Sequence, residues 1–414
     1  MPVPAYGGRS IANIGPSVFA ALGAPAPRSA GLAPPLDPAI DPFRGGRSAR
    51  TALVAMVDGF GWLQFESWAK DSRLGKRWRD RAHPITTVFP STTSSALTSL
   101  STGVPPGRHG LVGYRQYLPK YGLVADMLKM SPIGVPVYDQ LIGPNWAPSD
   151  IAGTPSLFRR FGRGTAVSRD RFQGTGFTRI LYDGAEYVGY ATASDLAHEL
   201  ASVLAREPPP SVVYLYWDEL DTIQHLKGVN HRLFGLEVDR FAGLLEYVAE
   251  SLAERRRDEI TVLITGDHGQ VPLTREATVN VESVPALLRE MDRPLAGDRR
   301  AGFFSARPGR VDALRTALEG SLPAGSRIFD VAEVIEAGLF GPPPHHPELE
   351  ARTGDLLALV PSPAGLTYLP PGASPPTRQL RSGHGGLEPA ELLVPLVCGT
   401  LTELAGPGGR LPQR

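Results

Sequence analysis

The sequence predicts an α/β fold: a mostly parallel central sheet sandwiched by helices, with a smaller α+β insertion. Three observations lead there. The runs ALVAMV (52–57), VVYLYW (212–217) and ITVLIT (260–265) are continuously apolar, as strands buried on both faces require. Helical patterns lie between them at 195–208 and 232–256, and strand alternating with helix implies a parallel sheet. Acidic and histidine residues gather where the runs end, which is where open α/β sheets place their sites.

Taken in chain order, residues 24–50 are rich in Pro, Gly, Ala and Arg, so 1–50 is expected to form an N-terminal arm. The main α/β domain is expected over 51–279. Residues 280–375 read differently. AGFFSA (301–306), VDALRTALEGSL (311–322), RIFDVAEVIEAGLF (327–340) and GDLLALVP (354–361) suggest a small α+β cap, punctuated by Pro342-Pro343-Pro344 and PPGASPP (370–376). This cap is expected beside the site, where it would tune the substrate. The chain then returns through RSGHGGL (381–387), so 376–414 completes the main domain.

Length and charge exclude several classes. The 414 residues suit two to three domains, or one large domain with an insertion. Lys+Arg and Asp+Glu are both 42, so there is no general basic field to hold a nucleic acid polymer. Cys398 is the only cysteine, which rules out an intramolecular disulfide and a zinc site with several thiolates. The stretch IANIGPSVFAALGA (11–24) is interrupted by Asn13, Gly15, Pro16 and Ser17, so neither a signal peptide nor a membrane span is expected. The expected location is cytoplasmic, with no membrane partner, and no pattern sets an oligomeric state.

Three histidines stand in suggestive settings. Asp221 and His225 are four apart in DELDTIQH, which on a helix puts both side chains on one face. Asp267-His268 and His384 occupy Gly-flanked turns. A lone histidine is usually a surface or satisfied core residue. The conjunction with Asp58, at the end of the first strand, reads instead as a ligand set for two zinc-like ions roughly 4 Å apart. Two divalent ions would exceed the charge of the three aspartates and attract a phosphate or sulfate ester. A nucleophile is offered by PSTTSSALTSLSTG (90–103), where hydroxyl residues open a short helix whose N-terminal N–H groups suit an anionic oxygen. The plainer reading is an N-cap before a Ser/Thr-rich helix.

These residues resemble the alkaline phosphatase superfamily, and within it the nucleotide pyrophosphatase/phosphodiesterase type. VDGF (57–60), the Thr-rich segment ending STG (101–103) with PPGRHG (105–110), YWDELDTIQH (216–225), TGDHG (265–269) and SGHGG (382–386) follow the family order. The resemblance implies that Asp58, Thr93, Asp267 and His268 hold one metal and Asp221, His225 and His384 the other. Zinc is implied, with manganese as the alternative. Thr93 is implied as the nucleophile, attacking phosphorus to form a phosphothreonine; its spacing from Gly103 matches the family, while Thr92 and Thr87 compete. Asp218 competes less well than Asp221 for the ligand role, and Asp218 and Glu219 are expected behind the ligands. Two departures stand out. The family Asn three residues after the nucleophile is Ala96 here, which leaves Tyr114, Arg115 and Arg381 as candidate substrate contacts. A sulfatase signature around Thr93 is missing, as are the Gly-rich nucleotide-binding strings. The implied activity is hydrolysis of a phosphate diester or pyrophosphate in a small phosphorylated substrate, nucleotides included. A phosphomonoesterase or phosphomutase on the same scaffold is the alternative, and a non-catalytic binding protein with a relict site the more distant one.

Overall fold

The computed structural model describes residues 3–25, 31–44, 50–162, 164–206, 211–374 and 378–406. The central sheet has seven strands: β1 (Thr51–Val57), β2 (Ala82–Thr86), β3 (Thr165–Arg169), β4 (Glu186–Tyr190), β5 (Ser211–Trp217), β6 (Ile260–Thr265) and β7 (Leu393–Thr400). Their spatial order is β2-β7-β6-β1-β5-β3-β4. From β6 to β4 every pairing is parallel, and β7 runs antiparallel to both its neighbours. Every residue of β1 and β5 is buried. Alternate side chains of β1 enter different cores: Ala52, Val54 and Met56 one, Leu53, Ala55 and Val57 the other. The apolar runs are unbroken because helices and loops cover both faces.

The register decides where the site can be. Val57 pairs with Trp217 and Met56 with Thr265, so Asp58, Asp218 and Asp267 emerge together from one edge, as the sequence led us to expect. Four helices matter most: α1 (Thr93–Thr102), α2 (Ala193–Arg206), α3 (Glu219–Lys227) and α4 (His231–Glu250). α4 buries Phe234, Val238, Phe241, Leu245 and Val248 at three- and four-residue spacing, each apolar side chain contributing about 1.5–3 kcal/mol of transfer free energy. It ends earlier than the pattern suggested. Ser251 Oγ donates to the Tyr247 carbonyl at 2.8 Å, and the chain is extended at Ala253 before a short helix, Glu254–Asp258.

Two expectations change. Residues 1–50 were expected as an arm, yet Ile11, Ile14, Val18 and Phe19 are buried in the same core as Val54 and Leu100. The helix Ile14–Ala21 comes so close that a Cβ on Gly15 would lie 2.8 Å from the Leu100 carbonyl. The apolar period of this segment, and not its Pro/Gly content, describes it. Of the arm, residues 1, 2, 26–30 and 45–49 lie outside the described residues. The α+β unit does not stop at 280–375 either. Its antiparallel sheet joins Ala296–Gly297, Ala301–Phe304, Arg327–Asp330 and Leu356–Leu359 to Arg115–Leu118, Leu123–Asp126 and Ser131–Pro132. Among the described residues, no helix is long and apolar enough to cross a membrane.

Candidate metal centre and active site

Asp58, Asp221, Asp267, His225, His268, His384 and Thr93 come together in one cluster. Asp58 follows β1, Asp267-His268 follows β6, and Asp221 and His225 sit on α3 with Nε2 and Oδ1 3.2 Å apart. His384 follows Ser382–Gly383, which pairs with Val271–Pro272. One oxygen of each buried carboxylate is held. Asp267 Oδ1 accepts from the Gly59 and His268 N–H groups at 3.0 Å, and Asp58 Oδ2 accepts from the Tyr216 hydroxyl. Their other oxygens, Asp58 Oδ1 and Asp267 Oδ2, are buried without a hydrogen-bond partner. They lie 3.5 and 3.3 Å from His268 Nε2.

The three imidazoles are oriented alike. Each Nδ1 faces a backbone carbonyl: His225 that of Ser382 at 2.9 Å, His268 that of Gly269 at 3.1 Å, His384 that of Ser91 at 3.0 Å. A carbonyl only accepts, so each Nδ1 carries the proton and each Nε2 presents a lone pair. This is the usual backing of a metal-bound histidine.

The electrostatics agree. Burial, then the charges of Asp267 and Asp221, hold the Asp58 carboxyl well above its ordinary range. Burial likewise raises Asp221. Burial, then His268 and His225, hold His384 well below the ordinary imidazole range. The Asp58 and Asp221 carboxyls resisting ionisation beside the His384 imidazole resisting protonation form a site that a divalent cation satisfies on both counts. The orphaned oxygens and the Nε2 lone pairs therefore fit a metal. Among the described residues, two groups of three have ligand atoms within 4.8 Å of one another: Asp58, Asp267 and His268, and Asp221, His268 and His384. His268 belongs to both, whereas the family resemblance paired Asp221 and His384 with His225.

Thr93 is the first residue of α1 and is 7% exposed. Its hydroxyl is 3.2 Å from His268 Nε2. Ser and Thr are modest helix formers, and α1 forms because all ten of its residues are buried. Several of its hydroxyls are bonded to backbone, Thr98 donating to the Ser94 carbonyl, Thr102 to that of Thr98 and Ser94 to that of Gly113, whereas Ser95 Oγ is buried without a partner among the described residues. At the N-terminus Thr92 makes no capping bond, so the first N–H groups face the site uncapped.

Of the competing residues Thr87, Asp218 and Glu219 are occupied elsewhere, whereas the buried Thr92 hydroxyl has no hydrogen-bond partner among the described residues. Thr87 donates to the backbone carbonyl of Asp267. Asp218 lines the cleft, but Arg169 and Arg171 take its two oxygens at 2.9 and 2.6 Å, and Glu219 is shared by Arg169 and Arg240. Of the candidate substrate contacts, Tyr114 and Arg115 line the cleft of about 340 Å³ in front of Thr93. Arg381 does not: it is exposed, and its backbone N–H clips α3 by bonding the His225 carbonyl at 2.8 Å. Nearness in sequence to His384 misled there, because Arg381 precedes the strand Ser382–Gly383 and stays exposed outside the cleft. Sequence reasoning missed Gln270, whose Nε2 donates to Asp221 Oδ1. It also missed Tyr216 as the partner of Asp58, though YWDELD carried that signal, and Asp298-Arg299 on the cleft wall.

The model of the type I phosphodiesterase/nucleotide pyrophosphatase family matches residues 52–360. The chain belongs to this family. As a type I phosphodiesterase/nucleotide pyrophosphatase it falls within the alkaline phosphatase superfamily. Its fold is found in murine ectonucleotide pyrophosphatase/phosphodiesterase 5, solved as an inactive variant with AMP (TM-score 0.64, 16% identity, 84% of this chain and 87% of that one). The human counterpart gives a TM-score of 0.58 at 15% identity, with 84% and 87% covered. Phosphonoacetate hydrolase from Sinorhizobium meliloti 1021, in complex with phosphonoacetate, gives 0.59 at 17% identity, with 87% and 96% covered. A search of curated proteins finds no match.

Proposed function

We propose that this family member is a two-metal hydrolase that cleaves phosphate diester or pyrophosphate bonds through a phosphothreonine at Thr93. The observation that carries the reading is the Thr93 hydroxyl at an uncapped helix N-terminus, 3.2 Å from His268, beside two buried carboxylate oxygens that lack partners. Asp58, Thr93, Asp267 and His268 would hold one ion and Asp221, His225 and His384 the other. Mixed imidazole and carboxylate ligands favour zinc, with manganese as the alternative. When bound, two such cations lower the pKa of a hydroxyl and offset charge on phosphoryl oxygens.

The chain's own residues do the rest. The Thr93 oxygen bonds to phosphorus as the bond from phosphorus to the leaving oxygen breaks, and the hydroxyl proton ends on the leaving group. Water then cleaves the threonyl phosphate and restores the hydroxyl. The N–H groups at the start of α1 hold a phosphoryl oxygen throughout. The cleft volume of about 340 Å³ suits a small substrate, as do AMP and phosphonoacetate, the ligands of the solved relatives.

The test is hydrolysis of bis-p-nitrophenyl phosphate and p-nitrophenyl phosphate, with metal analysis, before and after chelation. The reading expects two ions per chain, faster cleavage of the diester, loss on chelation and recovery with zinc or manganese. Undiminished activity in chelator would overturn it. A faster monoester would move the assignment to a phosphomonoesterase, and no turnover on either substrate would favour a relict site.

A further inference from the structure

Arg299 and Arg300 are neighbours with opposite surroundings. Arg300 is 1% exposed and spends its donors on Glu391, Glu388 and the Ala364 carbonyl. Arg299 is half-buried, lines the cleft in front of Thr93, and makes no side-chain hydrogen bond or salt bridge among the described residues. A guanidinium presents five N–H donors in a rigid fork and stays charged. Partly withdrawn from water with no acceptor, it gains most from an anion that enters the cleft.

The fold aims it there. Ala296–Gly297 and Ala301–Phe304 form a hairpin whose turn carries Asp298 and Arg299. Gly297 has φ 90°, and a Cβ there would lie 2.2 Å from the Ala301 carbonyl, so glycine is required. The turn rests on the one that carries His384: a Cβ on Gly385 would come 2.6 Å from Asp298 Cβ, and Asp298 Oδ2 is 3.9 Å from His384 Nδ1. The Leu366 N–H fixes the Arg299 carbonyl at 2.7 Å. Arg115 pairs with Gly297 and also lines the cleft, with one guanidinium nitrogen on the Tyr368 carbonyl at 2.6 Å. The two arginines thus stand on one wall of the cleft. On the α1 side, the wholly buried methyl of Ala96 offers no donor.

We infer that Arg299, with Arg115 beside it, forms an oxyanion-binding wall that receives a charged oxygen of the substrate, on the reacting phosphorus or on an anionic group next to it. This rests on reading the site as that of a phosphoric ester hydrolase. The wall favours substrates with more than one negative charge, and the planar fork of Arg299 can hold two oxygens at once, where a lysine keeps the charge alone.

The experiment uses metal-loaded wild type, R299A, R299Q and R299K. Inorganic phosphate is titrated calorimetrically, and kcat/KM is measured on bis-p-nitrophenyl phosphate and on a nucleoside triphosphate. R299A and R299Q should weaken phosphate binding by about tenfold or more, the size of a charged hydrogen bond, and R299K by less. Circular dichroism should match wild type; if R299A does not fold, R299Q decides. Loss on both substrates places the anion on the reacting phosphorus, and loss on the triphosphate alone places it on a neighbouring group. Both support the wall. Neutral variants that bind phosphate as tightly as wild type would overturn it. If the wild type turned over neither substrate, the hydrolase reading would fail, while the phosphate titration would still decide the role of Arg299.

Discussion

The hydroxyl of Thr93 is the atom on which the proposed chemistry turns. Thr93→Ala should lower turnover by roughly a thousandfold or more with the fold retained, and Thr93→Ser should keep part of the rate because the hydroxyl survives. Thr92→Ala should do far less. Steady-state kinetics on a diester checks all three, and a dead Thr92→Ala beside an active Thr93→Ala would reverse the assignment. Gln270 acts through Asp221, whose Oδ1 accepts from its amide. Gln270→Ala should weaken metal binding about 10–100-fold, read by competition with a chelating dye. The proposed ligand residues could be gathered from sequence because each lies in a short turn or at helical spacing that forces it toward a centre. Gln270 and Arg299 could not. A glutamine after a glycine and the first of two arginines carry no pattern, and only the folded chain shows which way each points.

Among the elements, α1 and the Gly297 hairpin do the most to shape the site. α1 is packed on every face, with Ala96 fully buried. Ala96→Asn should therefore cost about 1–3 kcal/mol through overpacking, measured as a lower denaturant midpoint, instead of raising activity. The long helices were readable because burial on one face imposes a period, and the three inner strands because burial on both faces imposes an unbroken apolar run. The outer sheet was not. It pairs Arg115 with Gly297, segments far apart in sequence, and short strands of this kind leave no local pattern to connect. The N-terminal segment failed for a related reason: its composition resembles a linker, while Ile11, Ile14 and Val18 supply the stripe that packs on the core.

At the scale of the whole molecule, stability should depend on metal and on pH by separate routes. A cation that binds only the folded chain stabilises it by mass action, about 2.7 kcal/mol at a hundredfold excess over Kd. Chelation should lower the melting temperature and zinc restore it, as scanning calorimetry would show. Away from the site, burial pushes His109 down to about 3 from its ordinary 6.5. It stays neutral, accepting from the Leu111 N–H and bonded to Ser99. Between those values the unfolded chain binds the extra proton. Its contribution is therefore complete above about pH 6.5 and lost as pH falls toward 3, at up to about 1.4 kcal/mol per unit. His109→Gln should flatten that slope without changing the metal content. The central claim, a covalent phosphothreonine, is tested most directly by acid-quenching the metal-loaded enzyme during turnover and sequencing its peptides by mass spectrometry. The account predicts the phosphoryl moiety of the substrate on Thr93. Continued turnover with no modified peptide, or the group on Thr92 or Thr87, would contradict it.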